Sequence, residues 1–140
     1  MTSPLSSQLT QRFFRYLAIT SQSDASATTL PTTPGQFDMA RTLAQELQAL
    51  GLEEVELDEY ATVTAVKRGN VAGAPRVGFI THIDTVDVGL SPDIHPQILR
   101  FEGDDLCLNS EKAIWLRVNE HPEIKAYPGE EIIFSDGTSV

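Results

Sequence analysis

Cysteine is nearly absent: Cys107 stands alone, so no disulfide can close within the chain, and nothing demands an oxidising compartment. Basic residues are scarce, 10 Lys and Arg against 20 Asp and Glu, for a formal net charge of −10. Phosphate recognition rests on clustered Lys and Arg, so this balance argues against nucleic-acid and anionic-membrane partners. It draws cations and substrates bearing a free ammonium weakly inward, or simply keeps the protein soluble. No apolar run approaches the ~20 residues that span a bilayer. The opening Met1-Thr2-Ser3-Pro4 lacks the basic-then-apolar pattern of a secretory signal, and a cytoplasmic location is the expectation. A Gly-rich phosphate loop and a G-x-S-x-G elbow are both missing, which leaves nucleotide binding and serine hydrolysis without support.

What is present suffices for one domain: 140 residues, 41% hydrophobic and 21% charged. Leu9, Phe13, Tyr16 and Leu17 share one helical face, with Ser6 or Ser7 available as an N-cap, which predicts a helix over about 7–19. The Ser, Thr, Pro and Gly-rich stretch 20–35 reads as a loop. A second helix begins near Gln36, with Phe37, Ala40, Leu43, Ala44, Leu47 and Leu50 on one face and Gly51 at its stop. Strands are expected over 54–58 and 62–68, the latter alternating as a half-buried strand does. A turn at 69–75 leads to Val77-Gly78-Phe79-Ile80, an unbroken apolar run that reads as a strand buried on both faces. Further on, 97–101, 105–109 and 131–135 suit short strands, Gly103-Asp104 and Pro128-Gly129 suit turns, and 112–119 suits a short helix. Helices alternating with strands place the chain in the α/β class, as a helix-flanked mixed sheet.

The apolar run delivers His82-Ile83-Asp84. A histidine at the C-terminal end of a buried strand is held rigidly where α/β proteins bind ligands. Neutral imidazole is a good zinc ligand, and its other ring N–H is commonly donated to a carboxylate that fixes the tautomer. Asp84, two residues on, stands where such a brace would. By itself H-x-D leaves a structural histidine and a metal ligand both open.

Wider motifs add to this. Pro31-Thr32-Thr33-Pro34-Gly35-Gln36 is similar to P-S-T-x-G-Q, and Asn70-Val71-Ala72-Gly73 followed by 77–85 is similar to N-V-P-G…I-G-F-I-S-H-V-D-T. His95-Pro96-Gln97-Ile98 is similar to N-P-Q-I, and Asp136-Gly137-Thr138-Ser139-Val140 to D-G-x-x-L. Through these the chain resembles peptidase T, a branch of the co-catalytic zinc peptidases. The resemblance implies the N-terminal portion of a catalytic domain over 1–140, with the remainder and a lid domain absent. It implies removal of the N-terminal residue from tripeptides by a water activated between two Zn²⁺ ions, with small peptides as substrate. His82 would bind one zinc, and Asp84, the catalytic-site carboxylate, would brace its ring. The family's next motif, G-A-D-D-K-A-G, holds the bridging aspartate and is expected beyond Val140, with the general-base glutamate further still. These 140 residues alone are therefore expected neither to hydrolyse tripeptides nor to bind zinc tightly, since catalytic zinc takes three protein ligands. The stretch 91–127 departs most from the family pattern and leaves peptide preference open.

Other readings stay beside this one. A non-catalytic α/β module would use His82 and Asp84 for structure, and another branch of the superfamily would be a dipeptidase or deacylase. His95 and His121, each before a proline, read as turn residues; Asp87, Asp104, Asp105 and Glu130-Glu131 as solvated turns; Trp115 as core; Cys107 as a small strand hydrophobe. The sequence does not define an oligomeric state.

Overall fold

The computed structural model describes residues 4–139. They divide into two compact units, one of residues 4–18 with 88–139 and the other Ile19–Asp87.

In the second unit the helix α2 (Pro34–Ala49) starts after Thr33, which is extended at φ −139° and ψ 151°, and Pro34 stands in the first turn, where its missing N–H costs nothing. Gln36, Met39 and Ala40 form its buried side. This helix packs on β1 (Glu53–Leu57) and β2 (Val63–Val66), an antiparallel pair with a bulge between Glu53 and Glu56. Asp58 closes the hairpin: its Oδ1 accepts from the backbone N–H of Tyr60 at 2.9 Å and of Thr62 at 2.8 Å. These donors hold the Asp58 carboxyl below the ordinary Asp value.

The other unit contains α1 (Pro4–Leu17), β3 (Pro96–Arg100), β4 (Leu106–Asn109), β5 (Ile114–Leu116), a 3-10 turn at Pro122–Ala126 and β6 (Glu131–Ser135). Helix α1 already includes Pro4, so Ser6 and Ser7 lie inside it rather than capping it. β3 and β6 pair antiparallel without a bulge, from Pro96 opposite Ser135 to Arg100 opposite Glu131. Phe101, fully buried, follows β3 and packs with Val118 and Ile124, with Leu116, Ile132 and Phe134 around them. Its backbone is pinned by Glu130 O at 2.9 Å and by the Gly129 N–H at 2.6 Å.

The α/β class stands: among the described residues two helices accompany three two-stranded antiparallel ladders, and one parallel bridge joins Gln22 to Thr85. Among the described residues no helix is long and apolar enough to cross a membrane.

Three further local expectations are corrected. Residues 112–119 form no helix; Asn109 Oδ1 accepts the Lys112 N–H at 3.0 Å and turns the chain into β5, which pairs with β4. Trp115 is not core. Ile114 and Leu116 point inward, so the period of two turns Trp115 outward, 43% exposed, beneath the Arg117 guanidinium at 5.0 Å. The largest departure is 77–80. It joins no ladder among the described residues, and Val77, Phe79 and Ile80 are 73%, 97% and 100% exposed. A strand is buried only by neighbours across its edges and faces, and here none is supplied. Burial would contribute roughly 1.5–3 kcal/mol for each such side chain.

Candidate functional site

His82 and Asp84 lie in the segment without regular secondary structure that continues from 77–80. His82 Nδ1 lies 2.8 Å from the Asp84 carbonyl oxygen and 3.0 Å from Asp84 Oδ1. A carbonyl oxygen only accepts, so Nδ1 carries the proton and donates, and Nε2 presents its lone pair outward. The imidazole is 82% exposed and Asp84 36%, which leaves that lone pair open to a ligand. Sequence spacing suggested a brace through the Asp84 carboxylate; the backbone carbonyl of the same residue supplies a second, shorter contact.

The segment is fixed just downstream by the loop before α2. Thr85 N–H donates to Ser21 O at 3.3 Å, and Thr85 O accepts from Ser23 N–H at 2.9 Å and Ser23 Oγ at 3.2 Å. That loop is held in turn by the P-T-T-P-G-Q motif. Thr33 Oγ1 donates to Gln22 O at 2.7 Å, while Gln36 Oε1 accepts the Thr32 N–H at 2.9 Å and Gln36 Nε2 donates to Thr32 Oγ1 at 2.8 Å. Gly35 makes the approach possible, because a Cβ there would lie 1.7 Å from the Thr20 carbonyl oxygen. Asp24 Oδ1 accepts from the Ser26 hydroxyl at 2.6 Å and the Ser26 N–H at 2.8 Å, which holds its carboxyl below the ordinary value.

Ser21, Gln22, Ser23, Thr33 and Gln36 therefore position the segment that carries His82. The motif gave Thr33 and Gln36 as a family likeness; their hydrogen-bonding role, and Ser21 to Ser23, carried no sequence signal of their own.

The D-G-T-S motif is a capped turn in the other unit. Asp136 Oδ1 accepts from Thr138 Oγ1 at 2.6 Å and Thr138 N at 3.0 Å, and Oδ2 accepts from Asn109 Nδ2 at 3.2 Å with His95 Nδ1 at 3.7 Å. The Thr138 hydroxyl and N–H are the main causes that hold the Asp136 carboxyl low. Gly137, at φ +77°, tucks against Ile114, where a Cβ would meet Cγ2 at 2.5 Å.

His121 and Asp105 have structural partners. His121 Nδ1 faces Glu123 Oε1 at 3.4 Å in the 3-10 turn. Asp105 accepts from Val118 N at 2.8 Å and Arg117 Nη1 at 2.9 Å, joining β4 to the chain after β5, with its carboxyl held low by these donors. Cys107 is half-buried in β4, and Glu130 and Glu131 are exposed. An open depression of about 730 Å³ at Asp104, Asp105, Arg117, Glu120 and Lys125 mixes both charges and selects neither.

Among the described residues, no group of three or more His, Cys, Asp and Glu side chains converges to hold a metal. His82 with Asp84 fits one ligand of a zinc site and its support; the described residues do not complete the set of three.

No family model matches the chain. Individual proteins do. A peptidase T-like protein of Yersinia pestis is 71% identical over 140 residues, all of this chain and 34% of the relative. A peptidase T-like protein of Rhizobium meliloti is 59% identical over 133 residues, 95% of this chain and 33% of the relative. Peptidase T of Caldanaerobacter subterraneus is 43% identical over 136 residues, 96% of this chain and 33% of the relative. The chain is thus similar over its whole length to proteins named peptidase T or peptidase T-like, of which it spans about a third of the length.

Proposed function

We propose that these residues form the N-terminal part of a cytoplasmic metallo-aminopeptidase that releases the N-terminal residue of tripeptides, with His82 as a ligand to one of two zinc ions. The observation that carries this is the His82–Asp84 contact, which keeps the Nε2 lone pair available, inside a stretch 71% identical to a peptidase T-like protein. Asp84 is a positioning residue in this reading: it orients the ring. The loop 20–36 keeps the pair in place through Thr85. A neutral, pre-oriented imidazole binds a metal without first losing a proton or a rotamer.

The remaining ligands and the general base come from residues outside 1–140, so no hydrolytic step is assigned to this chain by itself. For the isolated chain, a non-catalytic α/β module is the second reading, and the incomplete ligand set among the described residues favours it. The half-buried lone Cys107 and the acidic surface accord with a reducing compartment and with short peptides, rather than nucleic acid or membrane, as partners.

The test is a tripeptide assay with added Zn²⁺ on the purified chain and on the full-length Yersinia pestis relative. The relative is expected to release N-terminal residues and the chain to release none. Turnover by the chain at an ordinary enzymatic rate would overturn the claim of incompleteness, and an inert relative would overturn the peptidase reading.

A further inference from the structure

We infer that Thr33 is a positioning residue for the His82 imidazole, acting through the peptide group that joins Asp84 to Thr85. This rests on the proposed reading of His82 as a metal ligand and names what aims its ring.

That peptide group is hydrogen-bonded at both ends. Its carbonyl, on Asp84, accepts from His82 Nδ1 at 2.8 Å, and its N–H, on Thr85, donates to Ser21 O at 3.3 Å. A peptide group is planar, so its C=O and N–H turn together. The carbonyl cannot swing away from His82 without also breaking the bond to Ser21. Donation at one end polarises the group and strengthens acceptance at the other. Ser21 is 2% exposed, so water competes little for that bond. The next carbonyl is fixed as well: Thr85 O accepts from Ser23 N–H at 2.9 Å and Ser23 Oγ at 3.2 Å, and a parallel bridge pairs Gln22 with Thr85.

Residues 21–23 belong to a loop, and Thr33 ties that loop to a helix. Thr33 is the residue immediately before α2, whose body packs on β1 and β2. A threonine in that place ordinarily turns its hydroxyl to the free N–H groups of the first helical turn. Here it makes no such bond to the helix, and the hydroxyl donates instead to Gln22 O at 2.7 Å. A cap hydroxyl turned away from its own helix serves the loop rather than the helix. Gln36, buried in the first turn of α2, clamps the neighbouring Thr32 with both ends of its amide and so steadies Thr33. The bonds therefore run from α2 through Thr33, Gln22 and the Asp84–Thr85 peptide to the imidazole. A ring aimed in this way by the fold surrenders less freedom when it takes a ligand.

Thr33→Val keeps the shape of the side chain and removes only its hydroxyl. Nitrogen-15 NMR of the 140-residue chain at about pH 8, above the ordinary imidazole value, reads the His82 tautomer. The ratio of Nδ1–H to Nε2–H is expected to fall at least ~3-fold in Thr33→Val, towards the low end of what one net hydrogen bond contributes, and to recover in Thr33→Ser. Ser23→Ala removes only the Oγ bond to Thr85; it is expected to shift the ratio the same way by less, and it decides the matter where Thr33→Val does not fold. Met39→Ala thins the buried side of α2, and the Met39 side chain takes part in none of these bonds. It is expected to lower the thermal midpoint and leave the ratio as it is. An unchanged ratio in the folded hydroxyl variants would overturn the inference, as would an equal shift in Met39→Ala or no recovery in Thr33→Ser. The metal reading stands or falls separately, on the zinc content of the Yersinia pestis relative.

Discussion

The Nδ1 of His82 faces the carbonyl oxygen of Asp84 at 2.8 Å and its Oδ1 at 3.0 Å, so one residue grips the imidazole with backbone and side chain together. The tautomer follows from this contact, and with it the direction of the free lone pair.

Nitrogen-15 NMR of the chain at neutral pH is expected to find the His82 proton on Nδ1. Asp84→Ala removes one acceptor and shifts the population towards the Nε2–H form. His82→Ala, at an 82% exposed side chain, is expected to change stability by less than about 0.5 kcal/mol, measured by urea unfolding.

Gly35→Ala places a methyl 1.7 Å from the Thr20 carbonyl oxygen, a backbone atom that cannot swing aside. A destabilisation of about 3 kcal/mol or more is expected, with loosened exchange protection at Thr85. Gly69→Ala meets nothing within 4 Å and serves as the control, expected within about 0.5 kcal/mol of the parent.

Phe101→Ala empties a fully buried ring site between Val118 and Ile124, for an expected loss of about 3–5 kcal/mol in denaturant unfolding. Phe79→Ala, at a 97% exposed ring, is expected to change the same measurement by less than about 0.5 kcal/mol. The two phenylalanines thus separate the core of the chain from the surface it presents.

Asp24, Asp58, Asp105 and Asp136 all have carboxyls held below the ordinary value of 3.8 by hydrogen-bond donors. A depressed folded-state pKa gives stability that is present above the unfolded value and is lost as pH falls through the folded one. The thermal midpoint is therefore expected to be level above about pH 5 and to fall steadily below about pH 4. Asp136→Asn loses the charge that Thr138 and Asn109 stabilise, so its acid-side slope is expected to be shallower.

The helices and short strands were legible because their signals are local. Pro34 and Gly51 bracket α2, and alternation in 62–68 matches β2, whose bounds are Val63–Val66. The hairpin of β4 and β5 was hidden, since Ala113-Ile114-Trp115-Leu116 is too short to separate a helical period from a strand period. The 77–80 run was misread as buried because composition reports the environment a segment is suited to, not the neighbours it has. His82 and Asp84 were legible as a pair. The loop that holds them was legible only as a motif, because bonds such as Ser23 to Thr85 join residues 62 apart.

Metal content of the full-length Yersinia pestis relative tests the central claim most directly, measured by elemental analysis after dialysis, alongside a variant with alanine at the position aligned with His82. The account predicts two zinc ions per parent chain and at least one lost in the variant, with the fold unchanged by circular dichroism. A variant that retains both ions would contradict the assignment of His82 as a metal ligand.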